Sequence, residues 1–285
     1  FYVSKMTRTS VTVALNGDGG DESFAGYDRY LGNRLAESLA GIPGASLSTR
    51  TLSHLLPDSI DPRNRLRQAK RFLSVAAAPM HERYGHWVAF FDEPDKASLY
   101  SRELRGNING YRPGDWMESL FKEAGLDPVD AAMCVDVSSY LPYDLLVKVD
   151  ITSMANSLEA RSPFLDQEVM EFAARLPVHL KLRGRESKYL LKRAFSDLLP
   201  RKNVARRKMG FAVPVGEWFR GSLKPLLEDA LLSEQASKRH YFQPKTINRL
   251  VQDHLTTKAD HSFKLWNLMM LELWHREFID QVRAR

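Results

Sequence analysis

From residue 10 to residue 15 the chain reads Ser-Val-Thr-Val-Ala-Leu, β-branched and apolar with no charge, a pattern that predicts a short strand buried on both faces. A glycine-rich acidic turn follows at once. From Glu22 onward Phe24, Tyr27, Leu31, Leu35 and Leu39 recur at helical spacing, so the turn is expected to join the strand to an amphipathic helix. Residues 41–48, with one Pro and two Gly, read as a loop, and Leu52 to Ile60 as a short helix closed by Asp61-Pro62. Residues 74–99 carry Tyr84, Trp87, Val88 and Phe91 on one helical face, with a break expected at Pro94, and residues 107–115 resemble a linker. From Pro128 the pattern is a run of helices divided at Ser162-Pro163, Leu176-Pro177, Gly184 and Leu199-Pro200, ending in a dense apolar stretch from Phe263 to Ile279 read as a buried terminal helix. The sum is one core strand and about ten helices, with no repeats. A single parallel-type strand cannot make a sheet, so its partners are expected outside this sequence.

Composition narrows the class only a little. The 285 residues are 44% hydrophobic and 27% charged, as in an ordinary globular protein, and 41 Lys and Arg against 35 Asp and Glu give a formal net charge of +6. That excess suits an anionic ligand and suits plain solubility equally. One cysteine, Cys134, excludes an intramolecular disulfide and points to a reducing compartment, the cytoplasm. No stretch reaches the about eighteen apolar residues of a membrane span, and no signal-peptide pattern opens the chain. The start at Phe1, with residues that already look like mid-domain, is read as a cut through a longer protein.

The chemistry concentrates in Asn16-Gly17-Asp18-Gly19-Gly20-Asp21-Glu22. Glycines let backbone N–H groups approach an anion, and the following helix would aim its positive end at the same spot, so phosphate is the natural guest. Asp18 and Asp21 would repel a polyphosphate unless a divalent cation lay between, and Mg²⁺ binds one or two carboxylates together with nucleotide phosphates. A tight turn before a helix N-terminus, where acids are favoured anyway, explains the same residues equally well.

The run Val-Ala-Leu-Asn-Gly-Asp-Gly-Gly-Asp-Glu-Ser-Phe-Ala-Gly-Tyr-Asp-Arg-Tyr, residues 13–30, resembles the acidic glycine motif of the glutamine-hydrolysing asparagine synthetase family. Residues 141–166, Leu-Pro-Tyr-Asp-Leu-Leu-Val-Lys-Val-Asp through Glu-Ala-Arg-Ser-Pro-Phe-Leu-Asp, resemble its central helical signature. Arg206-Arg207-Lys208-Met209-Gly210-Phe211, with Pro214 and Trp218, is similar to a third motif. Three motifs in order are far more specific than any one.

The resemblance implies the C-terminal portion, residues 1–285, of an α/β, adenine nucleotide α-hydrolase-like (Rossmann-like, ATP pyrophosphatase) synthetase domain, predominantly helical here. It implies ATP and Mg²⁺ as cofactors and activation of a carboxylate, aspartate or a related acid, as an acyl-adenylate with loss of diphosphate. Ammonia from a glutaminase domain would then form the amide. The family's Ser-Gly-Gly-x-Asp-Ser diphosphate loop and its glutaminase nucleophile are missing and are expected upstream, so this portion alone is expected to be inactive. By the same resemblance Asp18 and Lys208 are catalytic, Asp18 and Asp21 hold the metal, and Asn16, Gly17, Gly19 and Gly20 contact ATP or diphosphate. Lys208 would meet the charge that builds as the α–β bond breaks.

Substrate-binding candidates are Asp144, Lys148, Glu159 and Arg161. An i,i+4 ion pair is an equal reading of the first two, and an Arg–carboxylate clamp at a helix end is the favoured reading of the second two. Lys188 reads as the top of a helix. Three positions depart from the family pattern: Asn16 for Ser, Ala25 for Gly and Ile151 for a basic residue. The last departure and the Asp at 18 point toward an acceptor other than aspartate, as in surface-polysaccharide or secondary-metabolite pathways. A β-lactam synthetase-like cyclase would carry Tyr at 18. The basic run Arg63, Arg65, Arg67, Lys70, Arg71 is read as a solvated helix face in preference to a nucleic-acid contact or scaffold surface. Partners are then small molecules, with neither nucleic acid nor membrane, and a homodimer is an open alternative.

Overall fold

The computed structural model describes residues 1–56, 64–124, 127–204 and 213–281, with backbone only at 45–47, 50 and 54. Its chain divides into two compact units. Unit 1 comprises Phe1–Ser53, Phe72–Gly85 and Gly114–Met209, and unit 2 comprises His54–Arg71, His86–Pro113 and Gly210–Arg285. Helices predominate, and no helix among the described residues is long and apolar enough to cross a membrane.

The strand expected near residue 13 forms as β1, Val13–Leu15, but it is neither alone nor buried on both faces. It pairs in parallel with β2, Glu159–Arg161, in the register Val13 to Glu159, Ala14 to Ala160 and Leu15 to Arg161. Residues 159–161, expected at a helix end, are therefore a strand. Leu15 is 72% exposed and Val13 39%. Apolar, β-branched residues fixed the strand, and its burial depends on neighbours that these two strands do not supply. A second ribbon, β3 (Leu182–Arg183) and β4 (Glu186–Ser187), is antiparallel around Gly184.

Elsewhere in unit 1 local chemistry sets the helix ends. Asp127 accepts from the N–H groups of Val129 and Asp130, with Pro128 in the first turn, and starts the helix Pro128–Ser138. That helix is apolar on nearly every side and is the core of the unit, packing on the helix Asp28–Ala40. Its one buried acid, Asp136, is 1% exposed and fully engaged: Arg29 reaches it at 2.7 Å, and the hydroxyls of Tyr30 and Tyr84 each donate to it at 2.5 Å. Burial, then the adjacent Asp136 carboxylate, pushes both phenols well above their ordinary pKa, which keeps them donors. Arg83, also buried, donates to Asn33 at 2.9 Å and pairs with Glu37 at 2.6 Å.

The single helix expected after the glycine turn is broken. A one-turn helix, Gly20–Ser23, ends where Ala25 takes a left-handed φ of 53°, and a new helix starts at Asp28. The second helix buries Tyr30, Asn33 and Ala36, while Leu35 of the expected stripe is exposed. Pro94 likewise opens a helix, Glu93–Leu99, instead of ending one, since Asp92 and Asp95 form a reciprocal cap around it. The stretch 41–48, expected as loop, already enters the helix Ala45–Leu55; residues 57–60 of the expected helix and its closing Asp61-Pro62 lie outside the described residues.

Unit 2 is a helical cluster around Leu99, Val215, Phe219, Leu227, Val251 and Leu265. The terminal helix Ser262–Trp274 runs on as a π-helical turn, His275–Asp280; Leu265, Leu268 and Met269 are buried, whereas Trp274 and Phe278 are exposed. The basic helix Arg65–Leu73 is partly turned inward instead of being a solvated face: Arg67 lies 3.4 Å from Asp260 and Arg71 donates to the Trp87 carbonyl at 2.5 Å, while Arg63 lies outside the described residues.

The imidazole of His254 is buried in unit 2, its Nδ1 accepting from the His261 N–H at 3.2 Å and its Nε2 3.0 Å from the Gly216 carbonyl. That pairing fits the neutral ring with the proton on Nε2. Burial lowers its pKa, helped by Arg220 and opposed by the Gly216 carbonyl and Asp260. His86 and His261, in the same unit, are shifted in the same direction, again chiefly by burial.

Two outcomes follow from these buried groups. Because the unfolded chain takes up protons near pH 6.5 and the folded histidines do so only lower, stability should be complete above about 6.5 and fall as the pH drops below it. Thermal unfolding at pH 7.5 and 5.5 tests this: the transition should be lower at pH 5.5, and His254→Gln should narrow the gap. Equal transitions in the native chain would refute it. Asp136→Ala leaves Arg29 and two buried phenols without their acceptor, and urea unfolding should show a loss of at least about 3 kcal/mol.

Candidate active site

The acidic turn connects β1 to the one-turn helix Gly20–Ser23, and Asn16 sets its shape. The Asn16 N–H donates to the Arg161 carbonyl at 2.8 Å, extending the β1–β2 ladder. Its side-chain oxygen accepts from the Asp18 N–H at 3.2 Å and from the Ser162 hydroxyl. An Asn side chain bonded to the backbone two residues on closes a turn without help from secondary structure.

The three glycines expected to admit an anion divide the work. Gly19 has φ +84°, and a Cβ there would stand 2.3 Å from Leu165 Cδ2; a Cβ on Gly20 would stand 3.0 Å from Phe164 Cδ2. Both glycines therefore let the turn Pro163–Leu165 pack against the motif. At Gly17 a Cβ would meet nothing within 4 Å, and the residue is exposed. Its backbone is the one open to a ligand. The expected helix dipole contributes little, because four residues of helix align few peptide units.

Gly26 makes a further close approach possible. A Cβ there would fall 1.9 Å from Asp21 Oδ1 and 2.4 Å from Lys188 Cε. Into that space fits an ion pair, Lys188 Nζ to Asp21 Oδ1 at 3.0 Å. The Lys188 N–H also donates to the Phe24 carbonyl at 3.1 Å, and its backbone is left-handed, φ +54°, at the start of the helix Tyr189–Ala194. A non-glycine residue held there costs about 1–2 kcal/mol, which the surrounding contacts must offset. Sequence reading placed Lys188 correctly at the top of a helix and missed that its side chain returns to the acidic motif. No periodicity encodes that return.

Asp21, Gly26, Phe164, Lys188 and Lys192 line a cavity of about 310 Å³. The adjoining acid Glu22 is buried and accepts the Tyr27 hydroxyl at 2.5 Å. Burial chiefly, with Asp21 and Asp136 adding and the Tyr27 bond opposing, raises the Glu22 pKa. Arg29 lies over the Tyr27 ring at 3.9 Å and over the Tyr140 ring at 4.8 Å, so the acidic motif and the residue just before the central signature share one cation.

The remaining candidates are spread out. Arg161 donates to Glu159 Oε1 at 2.6 Å, the expected clamp, but between residues two apart on a strand, where side chains share a face. Asp144 lies in a π-helical turn, Leu141–Leu146, and Lys148 in the following helix Val147–Met154; both are exposed and no ion pair joins them. The wider turn spoils the i,i+4 alignment that a regular helix would have given. Lys208, with Arg206, Arg207 and the rest of the third motif through Phe211, lies outside the described residues. Among the described residues no group of three His, Cys, Asp or Glu side chains is arranged to hold a metal. A Mg²⁺ ion here would rest on one or two carboxylates and complete its shell with phosphate oxygens and water. The carboxylates of the acidic turn that such a shell would draw on are the half-buried Asp18 and Asp21, the latter facing Lys188.

Residues 1–276 match the model of the family described as asparagine synthase. The chain belongs to the asparagine synthase family. It is 30% identical over 277 residues to asparagine synthetase [glutamine-hydrolyzing] 1 of Bacillus subtilis, covering 96% of this chain and 42% of that protein. A Mycobacterium bovis protein provisionally given the same activity is 32% identical over 288 residues, covering 98% of this chain and 41% of that one. Amidase chyE of Penicillium rubens is 24% identical over 278 residues, covering 86% and 38%. The chain thus spans about two fifths of the length of these three relatives. No solved structure gives a significant match.

The division of work among the glycines is directly measurable. Gly19→Ala should cost about 2–4 kcal/mol in urea unfolding, from the left-handed backbone and the clash with Leu165, whereas Gly17→Ala should stay within about 0.5 kcal/mol of the native chain. Equal losses at the two positions would contradict the assignment.

Proposed function

We propose that this chain is the C-terminal portion of the synthetase domain of an ATP-dependent amide-forming ligase of the asparagine synthetase type. Its reaction activates a carboxylate as an acyl-adenylate, releases diphosphate, and lets glutamine-derived ammonia form the amide. The observation that carries the reading is the convergence of an open Gly17 backbone, Asp18, and the Asp21–Lys188 pair at one end of β1, beside a cavity lined by two lysines.

Departing diphosphate carries several negative charges, and a cation already seated beside the glycine turn stabilises that charge as it develops. Lys188 supplies it, held by Asp21 and by its own strained backbone, so little reorganisation is needed when the anion forms. Asp18 and Asp21 are the residues that would hold Mg²⁺, which would supply positive charge against the phosphate groups. Lys208 is assigned to the α–β bond by the family resemblance alone. Asp144, Lys148, Glu159 and Arg161 remain candidates for the acceptor. The exposed apolar side chains of Val13 and Leu15 support an adenine nucleotide α-hydrolase-like sheet whose further strands come from preceding sequence, together with the missing diphosphate loop and glutaminase domain.

A second reading, an amidotransferase acting on another acceptor, is favoured by the Ile at 151, 61% exposed where a basic residue is usual, and by the similarity to a fungal amidase. The same assay separates the two. The chain joined to its upstream sequence is supplied with ATP, glutamine and a panel of carboxylates, and AMP is measured. AMP formed with aspartate supports the classical activity, and AMP formed only with another acid supports the second. In that protein Lys208→Ala should abolish turnover, and Lys188→Ala should lower kcat at least about tenfold with the fold intact. Unchanged turnover in both variants would remove the lysines from the chemistry.

A further inference from the structure

Beside the inner cavity lies an open groove of about 880 Å³, which shares Lys192 and Val204 with it. The groove is lined by four cationic side chains, Arg183, Arg185, Lys192 and Arg201, against two carboxylates, Glu186 and Asp197. These cations come from three elements: the β3–β4 ribbon, the helix Tyr189–Ala194, and the helix Arg201–Val204. The ribbon is fixed from behind, because Arg34 donates to the carbonyls of Leu182 and Gly184. Arg183 is fixed as well, donating to the Tyr189 hydroxyl with its guanidinium over that ring at 4.9 Å.

Several cations of unit 1 face a carboxylate: Arg83 with Glu37, Lys181 with Asp130, Lys188 with Asp21, Arg175 with Glu171. In the groove three cations gather without one. The side chains of Arg185, Lys192 and Arg201 make no hydrogen bond or ion pair among the described residues, and Glu186 points its charge toward Arg193 at 3.9 Å. Gathering like charges without carboxylate partners is unfavourable unless an anion completes them. Two guanidinium groups and an ammonium, spread over a wide solvent-open surface, match the dispersed charge of a phosphoryl group better than a single carboxylate.

We infer that this groove is a second anion site, taking a doubly or more highly charged phosphoryl compound, adjacent to the inner cavity. The groove alone carries the assignment. That the anion is diphosphate passing outward from the inner cavity rests on the function proposed above. Free diphosphate and a phosphorylated acceptor present the same chemistry, so both are probed.

The 285-residue chain is titrated calorimetrically at low salt with inorganic diphosphate and, separately, with glucose 6-phosphate. Three proteins are compared: the native chain, Arg185→Ala/Arg201→Ala, which leaves the inner cavity intact, and Lys188→Ala. The native chain should bind two equivalents of diphosphate, and the double variant should lose one of them, with at least a tenfold weaker constant, while keeping the other. Lys188→Ala should show the reverse. Loss of glucose 6-phosphate binding in the double variant, with diphosphate unaffected, assigns the groove to a phosphorylated acceptor. An unaltered Lys188→Ala isotherm overturns the inner site and leaves the groove standing. Superimposable isotherms for the native chain and the double variant with both probes overturn the groove, as does retention of single-stranded RNA when neither small anion binds. Circular dichroism melts confirm that the exposed substitutions leave the fold in place.

Discussion

An ion pair that no side chain larger than hydrogen at position 26 would allow joins two distant segments at the functional end of unit 1. Asp21 lies in the acidic motif and Lys188 far along the chain, and their 3.0 Å contact runs through the space that the missing Cβ of Gly26 leaves. Several features meet there. The helix Tyr189–Ala194 begins at Lys188 in a left-handed conformation, the Phe24 carbonyl accepts its N–H, and the inner cavity is closed on one side by this pair. A carboxylate that would otherwise repel an anion is thereby offset, and the lysine retains its other donors for a guest.

Behind that pair stands a polar core that keeps the motif from shifting. Glu22 and Tyr27 bond to each other, Arg29 lies between Tyr27 and Tyr140, and Arg29, Tyr30 and Tyr84 all converge on Asp136. Satisfied networks of this kind add little net stability compared with apolar packing, but displacement of any member leaves a buried partner exposed to the full cost of desolvation. The network therefore restricts the acidic turn to one arrangement relative to the central signature. It does so without using any residue that the cavity needs.

What the sequence made legible was local, and what it concealed was contact between distant segments. The strand at 13–15, the glycine turn and the helix start at Pro128 follow from β-branching, glycine spacing and proline placement, each readable within a few residues, whereas the reciprocal cap that makes Pro94 open a helix was missed. The pairing of β1 with β2 was hidden because Glu159-Ala160-Arg161 has no apolar alternation to declare a strand. The break at Ala25 was hidden because alanine is the strongest helix former, and only the tertiary position of Lys188 and Phe164 makes a left-handed residue worth its strain. Lys188 itself looked like any basic residue near a helix start. The π-helical turn at Leu141–Leu146 likewise leaves no mark in the spacing of Asp144 and Lys148.

The three departures from the family pattern differ in consequence. Asn16 closes the turn through its own side-chain oxygen and is held by Ser162, so the substitution keeps the backbone geometry that follows. Ala25 sits at φ +53° and is fully buried; its left-handed backbone costs about 1–2 kcal/mol, but the buried methyl returns about 0.8 kcal/mol and the unfolded chain is less free than with glycine. That change is close to neutral. Ile151 differs in kind, because its side chain is exposed on the helix that follows the central signature's first turn and bonds to nothing that fixes the fold. A charge absent there alters what the surface can hold and leaves the scaffold untouched.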